Sequence, residues 1–210
     1  MPEPAVVDTV VLRYFLFVAR QDLLLALLGR PLMVPRVVFD PDEGDVPEVA
    51  MSEVTRSIRF QRAAAADPGR LPAAKARAAT NAERLRAIHE MHARGDVEVV
   101  NLDSDELVLF ARLTSIDGAR GLGLRFAIQP GEAACVALAV RRGWTLVTDD
   151  GDALMALEDL DPGHAYERIR RLLQRAAQQG LISREEANEL HAEMRRLGFR
   201  DRESLVPRTS

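Results

Sequence analysis

The chain predicts an α/β fold built on a parallel sheet. Two observations carry this. Short apolar runs of strand length alternate with longer stretches at helical spacing, which is the signature of βαβ units. Two of the short runs end on aspartates: Ala5-Val6-Val7 runs into Asp8-Thr9, and Trp144 to Val147 runs into Thr148-Asp149-Asp150-Gly151-Asp152. A third observation agrees with both. Every residue from Ala133 to Val140 is apolar, as expected of a helix covered on most sides.

Taken in order, Ala5-Val6-Val7 is the first strand, with Asp8 at its carboxyl end. Val10 to Leu28 reads as one helix, with Leu12, Phe15, Leu16, Ala19, Leu23 and Leu27 on its buried stripe, ended by Gly29-Arg30-Pro31. Leu32-Met33-Val34 is a short strand stopped by Pro35. The acidic run Asp40-Pro41-Asp42-Glu43-Gly44-Asp45 reads as a solvated loop. Pro47 is expected to open a helix with Met51, Val54 and Ile58 inward and Glu53 one position off that stripe. Asp67-Pro68-Gly69 breaks it, and Ala76 to Arg94 resumes as helix, making a helical hairpin within about 47–94.

His89 and His92 lie three apart on that second helix, but the zincin pattern of acid and histidine is missing, so they read as surface residues. Val97 to Leu102 alternates as a strand. Ser104 is the expected N-cap of a helix over Asp105 to Leu113. Gly118 to Gly123 lacks the lysine of a P-loop and reads as a flexible loop. Pro130-Gly131 enters the apolar helix with Glu132 in its first turn, and Gly143 stops it. Tyr166, Ile169, Leu172, Leu173 and Ala176 suggest an amphipathic helix, and Ser183 with Glu186 a capping box for a second. Residues 1–160 thus form the sheet domain and 161–202 a C-terminal helical pair. Leu205-Val206-Pro207-Arg208 resembles a protease-recognition sequence, so 203–210 read as an appended tail.

With 210 residues and 47% hydrophobic content, the chain is long enough for one core and a helical appendage. A net charge of -4 rules out a global basic field, so any nucleic-acid contact must be local. The arginines Arg168, Arg170, Arg171 and Arg175 offer such a patch, or else a solvated helix face. The single cysteine, Cys135, excludes a disulfide framework and a cysteine zinc site, and reads as a small core residue in a reduced, cytoplasmic setting. No apolar run suggests a membrane span or a signal peptide.

In an open parallel sheet the carboxyl ends of the strands share one edge, where ligands collect. Asp8 and Asp149-Asp150 are expected there, with Glu132 leaning in from its helix. Each piece alone has an ordinary structural reading: a first-turn Glu complements the helix dipole, and Asp-Asp-Gly makes turns. Together they raise an energetic problem. Two carboxylates ~4 Å apart repel by about 4 kcal/mol at an effective dielectric of about 20. Converging acids must therefore be protonated or hold a cation. With oxygen donors only, the ion that fits is Mg²⁺ or Mn²⁺, and the chemistry it suggests is phosphodiester hydrolysis.

The ordered set of Asp8-Thr9 after a strand, Gly131-Glu132-Ala133 opening an alanine-rich helix, and Leu146-Val147-Thr148-Asp149-Asp150 resembles the PIN-domain nucleases over about Ala5 to Leu160. The resemblance implies a Rossmann-like three-layer fold with a parallel sheet of about four or five strands. It also implies a Mg²⁺- or Mn²⁺-dependent endoribonuclease. Many bacterial members are toxins of type II toxin–antitoxin pairs (the VapC-like branch), so RNA, an antitoxin protein and a second copy of the chain are the implied partners. Matched by position, Asp8 is the first family acid, Glu132 the acid opening the later helix, and Asp150 the acid after the last core strand. Asp149 and Asp152 are auxiliary metal ligands. Thr9, Thr148, Arg168, Arg171 and Arg175 are the expected nucleic-acid contacts. The family acid of the second strand–helix unit is missing where Pro41 falls; Glu53 is chosen for that role, with Glu43 and Asp42 behind it.

Rival readings differ in the residues they need. A phospho-accepting receiver domain wants paired acids after the first strand and a lysine after the last, but Asp8 stands alone and Lys75 is the only lysine. A haloacid-type phosphatase wants Asp-x-Asp where Asp8-Thr9-Val10 stands. The remaining alternative is a non-catalytic PIN-like module that binds RNA or protein.

Overall fold

The computed structural model describes residues 4–43 and 50–200. Five strands form one all-parallel sheet: β1 (Ala5–Val7), β2 (Leu32–Pro35), β3 (Val97–Val100), β4 (Thr145–Val147) and β5 (Tyr166–Glu167). Their spatial order is β3-β2-β1-β4-β5, in register Val6 with Met33, Val7 with Val147 and Val147 with Glu167. The order reverses direction between β1 and β4. That pair is the topological switch point, where the connections leave to opposite sides and open a crevice beyond the strand ends.

Both faces of the sheet centre are covered. All three residues of β1 are buried, which a strand with alternating side chains achieves only when helices lie on both sides. The covering helix on one face is α7 (Pro130–Arg142), which packs across β1, β2 and β4, with α5 (Ser104–Thr114) behind it. Ala133 to Ala139 of α7 are all buried, Cys135 among them, as the sequence pattern predicts. Helix α8 (Gly151–Leu160) follows β4 directly. The hairpin consists of α3 (Glu53–Ala66) and α4 (Pro72–Ala93), which pack on each other and on α1 (Thr9–Phe17). No helix among the described residues is long and apolar enough to cross a membrane.

Several expectations are corrected. The single helix expected over 10–28 is two, α1 and α2 (Gln21–Leu28), because Ala19 turns the chain at φ 55° and Arg20 is tied to Glu186. The turn lets α2 lie against α9 (Ile169–Gln178). Pro35 does not stop β2 but is its last residue, paired with Val100. The N-cap of α5 is Asp103, in a capping box with Glu106, and Ser104 is already helical. The glycine-rich stretch is not a loop throughout: α6 (Ile116–Gly121) forms on a Ser115 cap, and a Cβ at Gly118 would lie 2.5 Å from Arg112 Cα. Tyr166 belongs to strand β5 and not to the helix that follows, so the segment after Leu160 begins by extending the sheet. Helices α9 and α10 (Arg184–Arg196) then pack together, and Leu172, Leu173, Met194 and Phe199 join the same hydrophobic core as the sheet. Pro47 and the tail 203–210 lie outside the described residues.

Candidate active site

Asp8 is the N-cap residue of α1, one step past β1, and Asp150 is the N-cap of α8, three past β4. The parallel pairing of β1 with β4 sets their two strand ends side by side. Glu132 is in the first turn of α7, and Glu53 is the first residue of α3, placed there because Ser52 caps that helix onto the Thr55 amide. These four acids, delivered by four separate elements, line one cleft of about 290 Å³ together with Thr9, Val10, Arg13, Arg56 and Ser57.

The acids differ in how they are held. Asp8 is buried, and its Oδ2 accepts from the Thr148 hydroxyl at 2.7 Å. Glu53 accepts from the Thr9 hydroxyl, and its Oε1 accepts from the Gly131 amide at 3.2 Å. A Cβ on Gly131 would stand 2.4 Å from the Glu53 carboxylate, so the present position of that carboxylate depends on glycine there. Glu132 Oε2 accepts from the Gln129 amide at 3.1 Å, which closes a capping box. Asp150 Oδ1 accepts from the amides of Asp152 and Ala153 at 2.8 and 3.1 Å.

The four acids of the cleft outnumber its two arginines. Burial, reinforced by Glu53 and Asp150 and opposed by the Thr148 hydroxyl, pushes Asp8 up to about 7 from 3.8. Burial, then the charges of Asp150, Asp8 and Glu53, pushes Glu132 up to about 8 from 4.5. The Cys135 thiol is raised too, first by burial and then by Asp8, Glu53 and Glu132. Among the described residues, the other buried carboxylates each have an arginine partner. Asp96 pairs with Arg30 and Arg94, Glu106 with Arg142, Glu167 with Arg175 and Arg171, and Asp149 with Arg168. Among the described residues no such ion pair is made by Asp8, Glu53, Glu132 or Asp150.

The site expectations divide accordingly. Asp8, Glu53, Glu132, Asp150 and Thr9 come together. Asp149 turns the other way: its carboxylate accepts from Arg168 Nε at 3.0 Å and from the Ile169 amide at 2.6 Å, so it anchors α9. Asp152 is exposed in the first turn of α8 and does not line the cleft. Glu43 is spent on Ser52, accepting from its amide and its hydroxyl at 2.7 Å each. Asp42 is exposed and faces Arg36 at 3.7 Å. Thr148 is fully buried and serves by holding Asp8. Arg168, Arg171 and Arg175 bind Asp149 and Glu167 and so fasten α9 to the end of the sheet, with Arg175 also donating to the Leu27 carbonyl at 3.0 Å.

Sequence reasoning missed the two arginines that do line the cleft. Arg13 lies four residues after Thr9 on α1 and Arg56 three after Glu53 on α3, which are same-face spacings on a helix.

In donor chemistry the cleft residues suit a hard divalent cation: oxygens only, an excess of negative charge, and no competing thiolate or imidazole among the lining residues. In placement they are not closed on one point. Among the described residues no three Asp, Glu, His or Cys side chains stand as a ready metal-binding group. The Thr9, Gly131 and α8 amide bonds hold Glu53 and Asp150 in their present positions. Compared with known proteins, the chain matches no family model, no curated protein and no solved structure.

Proposed function

We propose that the chain is a Mg²⁺- or Mn²⁺-dependent endoribonuclease of PIN-like type, hydrolysing RNA phosphodiester bonds in the cleft between β1 and β4. One observation carries this reading: these four acids share a cleft at the switch point and, among the described residues, none of them is ion-paired, while the buried carboxylates of Asp96, Glu106, Glu167 and Asp149 each pair with an arginine. Uncompensated carboxylates cost stability. Their retention at the edge where ligands bind in such sheets is expected of a site that gains its counter-charge from a ligand.

Asp8, Glu132 and Asp150, joined by Glu53, would hold the cation. When bound, it lowers the pKa of its water and offsets the charge that develops on the phosphate. The chain supplies the rest. Thr148 fixes the direction of the Asp8 carboxylate, and Thr9 and Gly131 fix Glu53. Arg13 and Arg56 give the cleft its two positive groups, suited to the phosphate oxygens of the substrate. Protons held by Asp8 and Glu132 near neutral pH leave when a cation binds, so affinity for it rises with pH.

The resemblance extends this proposal to the toxin of a type II toxin–antitoxin pair, acting in the cytoplasm with an antitoxin and a second copy of the chain as partners. The core test is incubation with structured RNAs and Mg²⁺ or Mn²⁺ beside Asp8→Asn and Glu132→Gln variants. Cleavage is expected for wild type only, and EDTA should abolish it. Cleavage that survives both substitutions would sink the assigned site, and RNA binding without cleavage would favour the non-catalytic module.

A further inference from the structure

A second, larger groove of about 710 Å³ adjoins the acid cleft, and the two share Arg13, Arg56 and Ser57. Its further walls are Tyr14 and Phe17 from α1, Arg59 and Phe60 from α3, and the turn at Leu197–Gly198. Two helices each run from a cleft residue through an arginine to a phenylalanine. On α1, Thr9, Arg13 and Phe17 succeed one another at four-residue steps; on α3, Glu53, Arg56 and Phe60 do so at steps of three and four. Such spacing places each trio on one helix face, and Glu53 to Phe60 spans about 10 Å. The lining residues of the groove include three arginines and no acid, and Phe60 is 63% exposed. An exposed phenyl ring beside arginines is the arrangement that proteins use to stack a base while holding the backbone.

We infer that this groove is the track for single-stranded RNA leading into the acid cleft, with Arg13, Arg56 and Arg59 facing backbone phosphates and Phe60 stacking a base. The inference deepens the proposed nuclease reading and rests on it for direction only. Charge selects the occupant: a polyanion fits a groove with three arginines, whereas an apolar peptide helix would leave those cations against its apolar face. A duplex has its bases stacked inside and offers none to Phe60.

The test separates binding from cutting. A short fluorescein-labelled oligouridylate is titrated in EDTA against wild type, Phe60→Ala, Phe60→Trp and Arg59→Glu, by fluorescence anisotropy. Circular dichroism and thermal midpoints check that each variant is folded. Phe60→Ala should weaken binding about tenfold and Phe60→Trp should restore it, because stacking needs only a ring. Arg59→Glu should weaken binding and flatten the slope of log affinity against log salt by at least about 0.7. A matching duplex should bind more weakly than the single strand. In a cleavage assay the Phe60→Ala loss should appear in KM. Equal affinity for all four proteins, failure of Phe60→Trp to rescue, or a duplex bound as tightly would overturn the track. Strand binding with these mutational effects but without cleavage would overturn the nuclease proposal and leave the track standing.

Discussion

The Thr148 hydroxyl donates to Asp8 Oδ2 at 2.7 Å, and the same hydroxyl oxygen accepts from the Asp150 amide at 3.0 Å. One buried side chain thereby couples the acids that end β1 and β4. It is also the largest influence holding the Asp8 carboxyl down against burial.

Thr148→Val keeps the shape and removes the hydroxyl. Asp8 should then rise further above about 7, and the Asp150 amide loses its acceptor. If cleavage needs ionised Asp8, the acid limb of the pH–rate profile moves to higher pH, and stability drops by about 1–3 kcal/mol for the orphaned groups. Thr148→Ser should behave as wild type. Activity profiles and denaturant titrations of both variants decide this; an unmoved acid limb in Thr148→Val would refute the coupling.

The raised carboxyls set the pH dependence of folding. Asp8 and Glu132 titrate near 3.8 and 4.5 when unfolded and near 7 and 8 when folded. Between these limits the folded state binds more protons at these two groups, so in EDTA their contribution to stability is complete below about pH 4 and is lost as pH rises toward 8. Excess Mn²⁺ should raise the thermal midpoint more at pH 8 than at pH 5, since only the ionised site binds it well. Asp8→Asn cannot ionise there and can still accept from Thr148, so its pH curve in EDTA should be flatter and its midpoint at pH 8 higher than wild type. Curves of equal slope for wild type and Asp8→Asn between about pH 5 and 8 in EDTA would show that the burial of Asp8 is not what governs its charge.

Much of this site could be read before folding was considered, and the limits are physical. Asp8, Asp150 and Glu132 are fixed by local grammar: the residue after an apolar strand, or the first turn after Pro-Gly, has one place to go in a parallel sheet. Glu53, chosen for an acid that the resemblance implies, lines the same cleft as the first residue of α3. Asp149 and Asp150 are neighbours in sequence, but successive side chains at a strand end face opposite ways, so one enters the cleft and the other anchors α9. Arg13 and Arg56 could not be distinguished from many other arginines until α1 was seen against α3. The break at Ala19 has no breaker residue to announce it: an alanine holds the left-handed turn after which α2 packs on α9. Alternation in the short β5 was hidden under a helical spacing that began in earnest only at Ile169.

The pair of Glu106 and Arg142 shows what a compensated buried acid looks like. Glu106 has no solvent exposure; Arg142 Nε donates to its Oε1 at 2.5 Å and Nη2 to its Oε2 at 2.9 Å. The guanidinium is raised above its ordinary range by that contact. Arg142→Ala leaves Glu106 buried without its partner and should cost about 3–5 kcal/mol. Because the pair lies away from the acid cleft, turnover per folded molecule should stay at the wild-type value. Chemical denaturation and active-site titration together measure this. A loss of turnover larger than the loss of folded protein would mean that α7 relays strain into the site.

Gly131→Ala asks whether the position of Glu53 matters. Position 131 is buried in the first turn of α7, where alanine is favoured over glycine by about 1 kcal/mol in helix propensity. Against this, the new Cβ would meet the Glu53 carboxylate at 2.4 Å, and overpacking of that kind costs about 1–3 kcal/mol. The two effects nearly offset in stability, so the variant should fold with a midpoint close to wild type. The displaced side chain is the one that Thr9 and the Gly131 amide hold in place, so cleavage should fall at least tenfold, roughly as in Glu53→Gln. If Glu53 is a working member of the acid set, combining Gly131→Ala with Glu53→Gln should cost little more than either change alone, because both act through the same carboxylate. Cleavage rates and thermal midpoints of the three variants complete the cycle. Fully additive losses would place the effect of Gly131 elsewhere, and an undiminished rate in Glu53→Gln would remove Glu53 from the site.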